Sequence, residues 1–254
     1  MCSESGFDGC SLFFPSDFFD TTWHDVFSRF MFNNTVTEQW QYVRNVSAGE
    51  ASSGLVDQYM PFYDIYDKNV RCGRGASTSG PGTQTATVVA GEDVGFVVGR
   101  SADEPMQPYV IYHNGPGQAY LSKSPTSDLD HYTGDGDWFK IGALVAKNDT
   151  YWLTRGQTGM NFTIPKTTPP GKYLLRVEHL YVQPFFNSTQ FYINCAQINI
   201  IGPGGGKPKA TMLVKFPGAY DLFDQSIWVP NEYYDWPPKN LNKYVPPGPP
   251  VWKG

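Results

Sequence analysis

From residue 24 onward, short stretches of alternating apolar and polar residues recur along the chain, each closed by Gly, Pro, Asn or Asp. Period-two alternation marks strands. It predicts strands over His24–Phe32, Thr85–Val89, Val94–Gly99, Gly117–Ser122, Tyr173–Val182, Gln190–Ile201 and Thr211–Lys215. Strands at this spacing predict an all-β fold, an immunoglobulin/fibronectin-like antiparallel β-sandwich with long loops. In the stretch from Gln190, parity sends Phe191, Ile193 and Cys195 toward the core and Gln190, Tyr192 and Asn194 the other way. The segments 49–80 and 124–170 read as long loops, and loops of that length are usually functional. Residues 202–254 read as a linker (Gly204-Gly205-Gly206), a last strand and an extended tail rich in Pro and aromatics that packs on the surface. Residues 24–254 therefore read as one sandwich domain, preceded by residues 1–23.

Composition supports this. With 26 Gly, 21 Pro, 16% aromatic and only 17% charged residues, the chain suits short strands and ordered loops better than a helical bundle. A net charge of −5 argues against nucleic-acid binding through phosphates. No apolar run approaches the ~18 residues of a membrane-spanning helix, so no membrane association is expected. Sequons at Asn33, Asn45, Asn148, Asn161 and Asn187 point to glycosylated surface loops and a secreted, extracellular protein. The first 23 residues hold no Lys or Arg, and Pro15 and Asp17 break their apolar pieces, so they do not form a recognisable signal peptide. They read as a gene-model artefact or an unusual extension. Cys2 and Cys10 lie in that segment, which leaves Cys72 and Cys195 as the natural pair of the body. Such a bridge is worth about 4–5 kcal/mol on the chain-entropy model.

Candidate chemistry is sparse. The histidines are His24, His113, His131 and His179. His113 stands in the turn Tyr112-His113-Asn114-Gly115-Pro116 at the entrance of a strand, where a side chain gains the fixed direction that a metal ligand or base needs. His131 reads as solvated and His179 as structural. Glu178, the one acid of an apolar strand, reads as the buried partner of an arginine. There is no Gly-x-Ser-x-Gly, His-Glu-x-x-His, Cys-x-x-Cys or phosphate-binding glycine loop.

Taken in order, several segments resemble one family. They are His24-Asp25-Val26-Phe27, Trp40-Gln41-Tyr42-Val43-Arg44, Gly91-Glu92-Asp93-Val94-Gly95-Phe96, His113-Asn114-Gly115-Pro116, Trp138-Phe139-Lys140-Ile141, the run Pro170 to His179, Gln190 to Gln197, Phe216-Pro217-Gly218-Ala219-Tyr220 and the ending Tyr244 to Trp252. The body is similar to the fungal lytic polysaccharide monooxygenases of auxiliary-activity family 9, formerly glycoside hydrolase family 61. The resemblance implies a single copper ion in a histidine brace, in which an N-terminal histidine binds through its amine and a ring nitrogen. His24 and His113 match the nitrogen ligands and Tyr192 the axial oxygen. Gln190 matches a glutamine that hydrogen-bonds the oxygen species, and Tyr244 a position on the flat sugar-binding face. Nitrogen donors in a plane with a weak axial oxygen suit Cu(II).

The implied activity is oxidative cleavage of β-1,4-glucan, cellulose or a hemicellulose, at C1 and/or C4. It uses O2 or H2O2 and electrons from a small-molecule reductant or cellobiose dehydrogenase. The implied protein is a monomer. Two departures leave an alternative open, a non-lytic or weakly active copper- or glycan-binding homologue, and beyond it a lectin-like sandwich. Gln183 stands where the family has an outer histidine, and an amide cannot accept and deliver a proton near neutral pH. His24 follows Trp23 and so has no free amine in the chain as written. A mispredicted first exon, with the mature chain beginning at His24, is the favoured reading.

Overall fold

The computed structural model describes residues 25–50, 56–58, 60–99 and 109–254. Its strands are β1 (Arg29–Phe32), β2 (Thr35–Val36), β3 (Gly49–Glu50), β4 (Val56–Asp57), β5 (Ala86–Val89), β6 (Asp93–Val97) and β7 (Gly117–Lys123). They continue as β8 (Trp138–Leu144), β9 (Ala146–Asn148), β10 (Tyr151–Trp152), β11 (Gly159–Thr163), β12 (Gly171–Tyr181), β13 (Gln190–Ile201) and β14 (Leu213–Val214). One sheet runs β11-β6-β1-β2 and the other β14-β8-β7-β12-β13-β5. All their pairs are antiparallel except β13 with β5, so the larger sheet is mixed at one edge. No helix among the described residues is long and apolar enough to cross a membrane.

The strand at 190–201 lies where alternation predicts it; the one expected over His24–Phe32 forms only over Arg29–Phe32, with 25–28 outside any strand, and the others shift by one or two residues at their ends. The segment 124–170 departs from expectation, because it carries β8 to β11, of which β8 belongs to the larger sheet and β11 forms an edge of the four-stranded one. In β8 the alternation is real, with Phe139 and Ile141 entering the core between the sheets while Trp138 packs on the opposite face. Lys140 disguised it, since the strand buries that lysine as well. Parity in β13 also holds, but both faces are covered. Tyr192, Ala196, Ile198 and Ile200 face the core between the sheets, whereas Phe191, Ile193 and Cys195 pack under the loop around Ile65–Ala76 and the C-terminal tail. Long loops that bury the outer face of a sheet turn an alternating strand into one buried on both sides.

Cys72 and Cys195 form the expected disulfide, with Cα atoms 5.0 Å apart across 123 residues of sequence. It pins the 61–76 loop beneath β13. The tail runs back over the sandwich, with the Trp252 N–H donating to the Lys140 carbonyl at 2.8 Å and the Trp252 ring edge-on to Phe139. All five sequon asparagines are exposed.

Lys140 Nζ donates to the Pro247 carbonyl at 2.7 Å. Burial holds its pKa down to about 8, although Glu178 and Asp224 act in the other direction. The unfolded chain keeps the ordinary value of 10.5. Between the two the unfolded state binds more protons, so this group makes stability rise with pH from about 8 to 10.5. Denaturant titrations near pH 9 are expected to show a rise of up to about 1.4 kcal/mol per pH unit relative to Lys140→Met. A pH-independent difference between the two proteins would refute it.

Candidate metal centre

The turn at His113 is built by its neighbours. Gly115 passes so close to β12 that a Cβ there would stand 1.7 Å from the Leu180 carbonyl oxygen. The Gly115 carbonyl accepts the Thr154 hydroxyl at 2.6 Å, and the Leu180 N–H donates to the Pro116 carbonyl at 3.1 Å. Glycine is thus required by close approach as well as by its φ of +156°, and the turn is clamped to both neighbouring segments. The imidazole of His113 then stacks on Tyr181, with centroids 4.3 Å apart and planes 15° from parallel. It also meets Tyr192, at 5.6 Å and 18°.

Strand register explains this convergence. Tyr181 pairs with Gln190 and His179 with Tyr192, so all four occupy neighbouring positions at one end of β12 and β13. The Tyr192 hydroxyl donates to Gln190 Oε1 at 2.6 Å. Gln190 also faces the Tyr63 hydroxyl. Burial pushes the Tyr192 phenol well above its ordinary range, reinforced by the charge of Asp25. Tyr181 is pushed up to about 12, by burial first and then by the neighbouring Tyr234 hydroxyl, while a hydrogen bond with Gln183 acts the other way. Gln183 is itself buried, its N–H donating to Thr189 Oγ1 at 3.0 Å and its carbonyl accepting the Val229 N–H at 3.2 Å.

His24 lies outside the described residues. Its neighbour Asp25 does not. Asp25 Oδ1 accepts the Tyr112 N–H at 3.2 Å, one residue before His113. Among the described residues no three His, Cys, Asp or Glu side chains converge as a metal site. The described part of the centre is therefore one imidazole, one neutral phenol and one amide, a nitrogen and weak-oxygen set that fits copper once further nitrogen donors are added. It does not resemble the all-oxygen cage of Mg2+ or Ca2+.

Tyr244 is placed differently from the sequence expectation. It is 6% exposed, its hydroxyl donates to the Ser226 carbonyl at 2.6 Å, and its ring packs edge-on to Trp152 and Tyr233. It anchors the tail and offers no face to a sugar. The exposed rings near His113 are others, Tyr112 at 39% and Trp236 at 67%. The Arg155 guanidinium lies 4.3 Å from the Tyr112 ring centroid and 6.0 Å from that of Trp236. Tyr181 continues outward through Tyr234, at 6.1 Å, to exposed Phe185. Of these, Tyr112 adjoins His113 in sequence and could have been suspected; Arg155, Tyr234 and Trp236 come from distant segments and carry no local signal. His131 is exposed beside Asp128, at 2.7 Å, and joins no group of three candidate ligands among the described residues.

The molecule is thus a β-sandwich that holds an imidazole and a buried tyrosine at one end, beside exposed aromatic rings. The sequence pattern of Auxiliary Activity family 9 (formerly GH61) matches residues 24–244, and the chain belongs to that family. It is 43% identical over 243 residues to AA9 family lytic polysaccharide monooxygenase U of Thermothielavioides terrestris, covering 91% of this chain and 93% of that protein. It is 40% identical over 238 residues to AA9 family lytic polysaccharide monooxygenase C of Emericella nidulans, covering 91% and 92%. The crystal structure of HiLPMO9B superposes with a TM-score of 0.68 at 26% identity, covering 91% of this chain and all of that one. Membership carries oxidative polysaccharide cleavage by a monooxygenase, in a family of secreted fungal copper enzymes.

Proposed function

We propose that this chain is a secreted copper monooxygenase that cleaves β-1,4-glucan, in which His24 and His113 would hold the copper through nitrogen and Tyr192 would offer it an oxygen. The observation that carries this reading is the convergence of His113, Tyr192 and Asp25. Asp25, the residue that follows His24 in sequence, accepts the N–H of Tyr112, the residue before His113. Copper held there would supply the redox chemistry for oxidising the sugar at C1 and/or C4, with O2 or H2O2 as co-substrate and a small-molecule reductant or cellobiose dehydrogenase as the electron donor.

The protein's own residues do the rest. Gln190 holds the Tyr192 hydroxyl, and burial keeps that phenol protonated. Tyr181 backs the His113 ring. Tyr112, Trp236 and Arg155 supply the surface on which cellulose or a related glucan would lie, in place of Tyr244. Residues 24–254 act as one monomeric unit whose mature N-terminus is His24. N-terminal sequencing of the secreted protein tests the copper geometry, and a terminus other than His24 would sink it. Incubation with copper, a reductant and cellulose is expected to release oxidised oligosaccharides, read by mass spectrometry.

Gln183 favours a second reading, a poorly active copper-binding homologue, because its amide is committed to the Tyr181 hydroxyl and cannot relay a proton. Gln183→His is expected to raise oxidative turnover on cellulose, toward the ~100-fold typical of a positioned acid–base group. An unchanged rate would show that Gln183 is not what limits the enzyme.

A further inference from the structure

The residue that follows His24 is held from two directions. Asp25 is buried, and its two carboxylate oxygens reach different segments: Oδ1 accepts the Tyr112 N–H at 3.2 Å, and Oδ2 lies 3.2 Å from Nδ1 of His179. His179 is fully buried in the centre of the larger sheet, paired with Tyr192 on one side and with Gly117 on the other. Its ring lies 6.1 Å from the Tyr192 ring and 28° from parallel, and the Phe27 ring meets it edge-on at 6.5 Å. Two residues past Asp25, the Phe27 N–H donates to Asn194 Oδ1 at 2.9 Å.

A carboxylate withdrawn from water is costly unless it is well partnered. A purely structural pair would be expected to join core elements to each other. Here both oxygens are directed at the segments that carry the other candidate ligands, the turn before His113 and the strand position opposite Tyr192. We propose that Asp25 and His179 form a positioning pair, which locks the backbone leaving His24 onto the His113 turn and the Tyr192 strand. This rests on the reading of those three residues as copper ligands. Neither Asp25 nor His179 touches the metal in this scheme; they set the separation and direction of the groups that do. Outer partners of this kind typically change metal affinity by about 10–100-fold.

The test has one arm that needs no metal. In the metal-free secreted protein, the Tyr112 amide is expected to be protected from hydrogen–deuterium exchange. Asp25→Ala should speed its exchange at least about tenfold, as loss of a buried hydrogen bond requires, while the Leu175 amide in the middle of β12 stays as in wild type. The second arm measures Cu(II) affinity by competitive titration and the Cu(II) electron paramagnetic resonance spectrum. Asp25→Ala and His179→Leu are expected to weaken binding by about 10–100-fold and to alter the spectrum. Asp25→Asn keeps the acceptor for Tyr112 and should recover most of both. A Tyr112 amide that stays protected in Asp25→Ala overturns the pair. So does a wild-type spectrum and affinity in a variant whose Tyr112 amide has opened. Should wild type itself fail to bind copper, the ligand reading fails instead, and the exchange arm alone decides whether the pair positions this backbone. If Asp25→Ala does not fold, His179→Leu carries the copper arm with Asp25→Asn as its control, and a wild-type affinity and spectrum in His179→Leu overturn the pair.

Discussion

Alanine at His113 is expected to weaken copper binding by more than about 100-fold, beyond the usual cost of losing an outer partner, and to abolish oxidised products from cellulose. The turn around it is rigid: Thr154 and Leu180 hold the Gly115 and Pro116 carbonyls, and β12 leaves no space for a Cβ at Gly115. Removing the imidazole therefore leaves a gap that the backbone cannot close, and among the described residues no other histidine, cysteine or carboxylate joins a cluster that could take the ligand's place. The lost stacking on Tyr181 should cost stability only about 0.5–1.5 kcal/mol. A thermal melt within a few degrees of wild type, together with lost copper binding, would locate the effect in the ligand rather than in the fold. Tight copper binding retained by His113→Ala would sink the proposed ligand set.

The meeting of His113 with Tyr192 and Gln190 is partly legible because its parts are local. His113 stands in a five-residue turn whose Gly and Pro announce it, and Gln190 and Tyr192 share a strand face by simple parity. The Cys72–Cys195 bridge followed from cysteine placement. What sequence misjudged depended on tertiary cover. Parity separates the two faces of β13 but does not say which one meets the other sheet, since loops bury both. Lys140 hid β8 because a buried lysine breaks the apolar pattern while its ammonium is satisfied by Pro247, over a hundred residues away. Tyr244 was read as a sugar platform from the likeness of its surroundings, but its exposure depends on Ser226, Trp152 and Tyr233. Asp25 carries no sequence signal beyond its place after His24. Its meaning lies in Tyr112 and His179, which the chain brings to it only on folding.

Removing Glu178 is expected to be the most destabilising single change in the body of the sandwich. Its Oε2 accepts Arg176 at 2.8 Å, its Oε1 accepts Gln118 at 3.1 Å, and the Tyr220 hydroxyl donates to it as well. Both charged side chains are fully buried. Burial opposes the charge on Arg176, but Glu178 outweighs it and holds the guanidinium pKa above its ordinary value. In Glu178→Ala that cation would keep only the Val70 carbonyl, at 3.0 and 3.2 Å, and the faces of Phe216 and Tyr120. An uncompensated buried charge costs about 3–5 kcal/mol, and denaturant unfolding should show a loss of that size. The damage should extend to the tail, because Tyr220 hydrogen-bonds Tyr120 at 2.9 Å and the Tyr120 hydroxyl reaches the Pro247 carbonyl at 3.4 Å. Replacing both partners, as Arg176→Met with Glu178→Leu, removes the two charges together and should recover most of the loss. A double replacement no more stable than Glu178→Ala would mean that the hydrogen bonds to Gln118 and Tyr220, rather than the ion pair, hold this layer together.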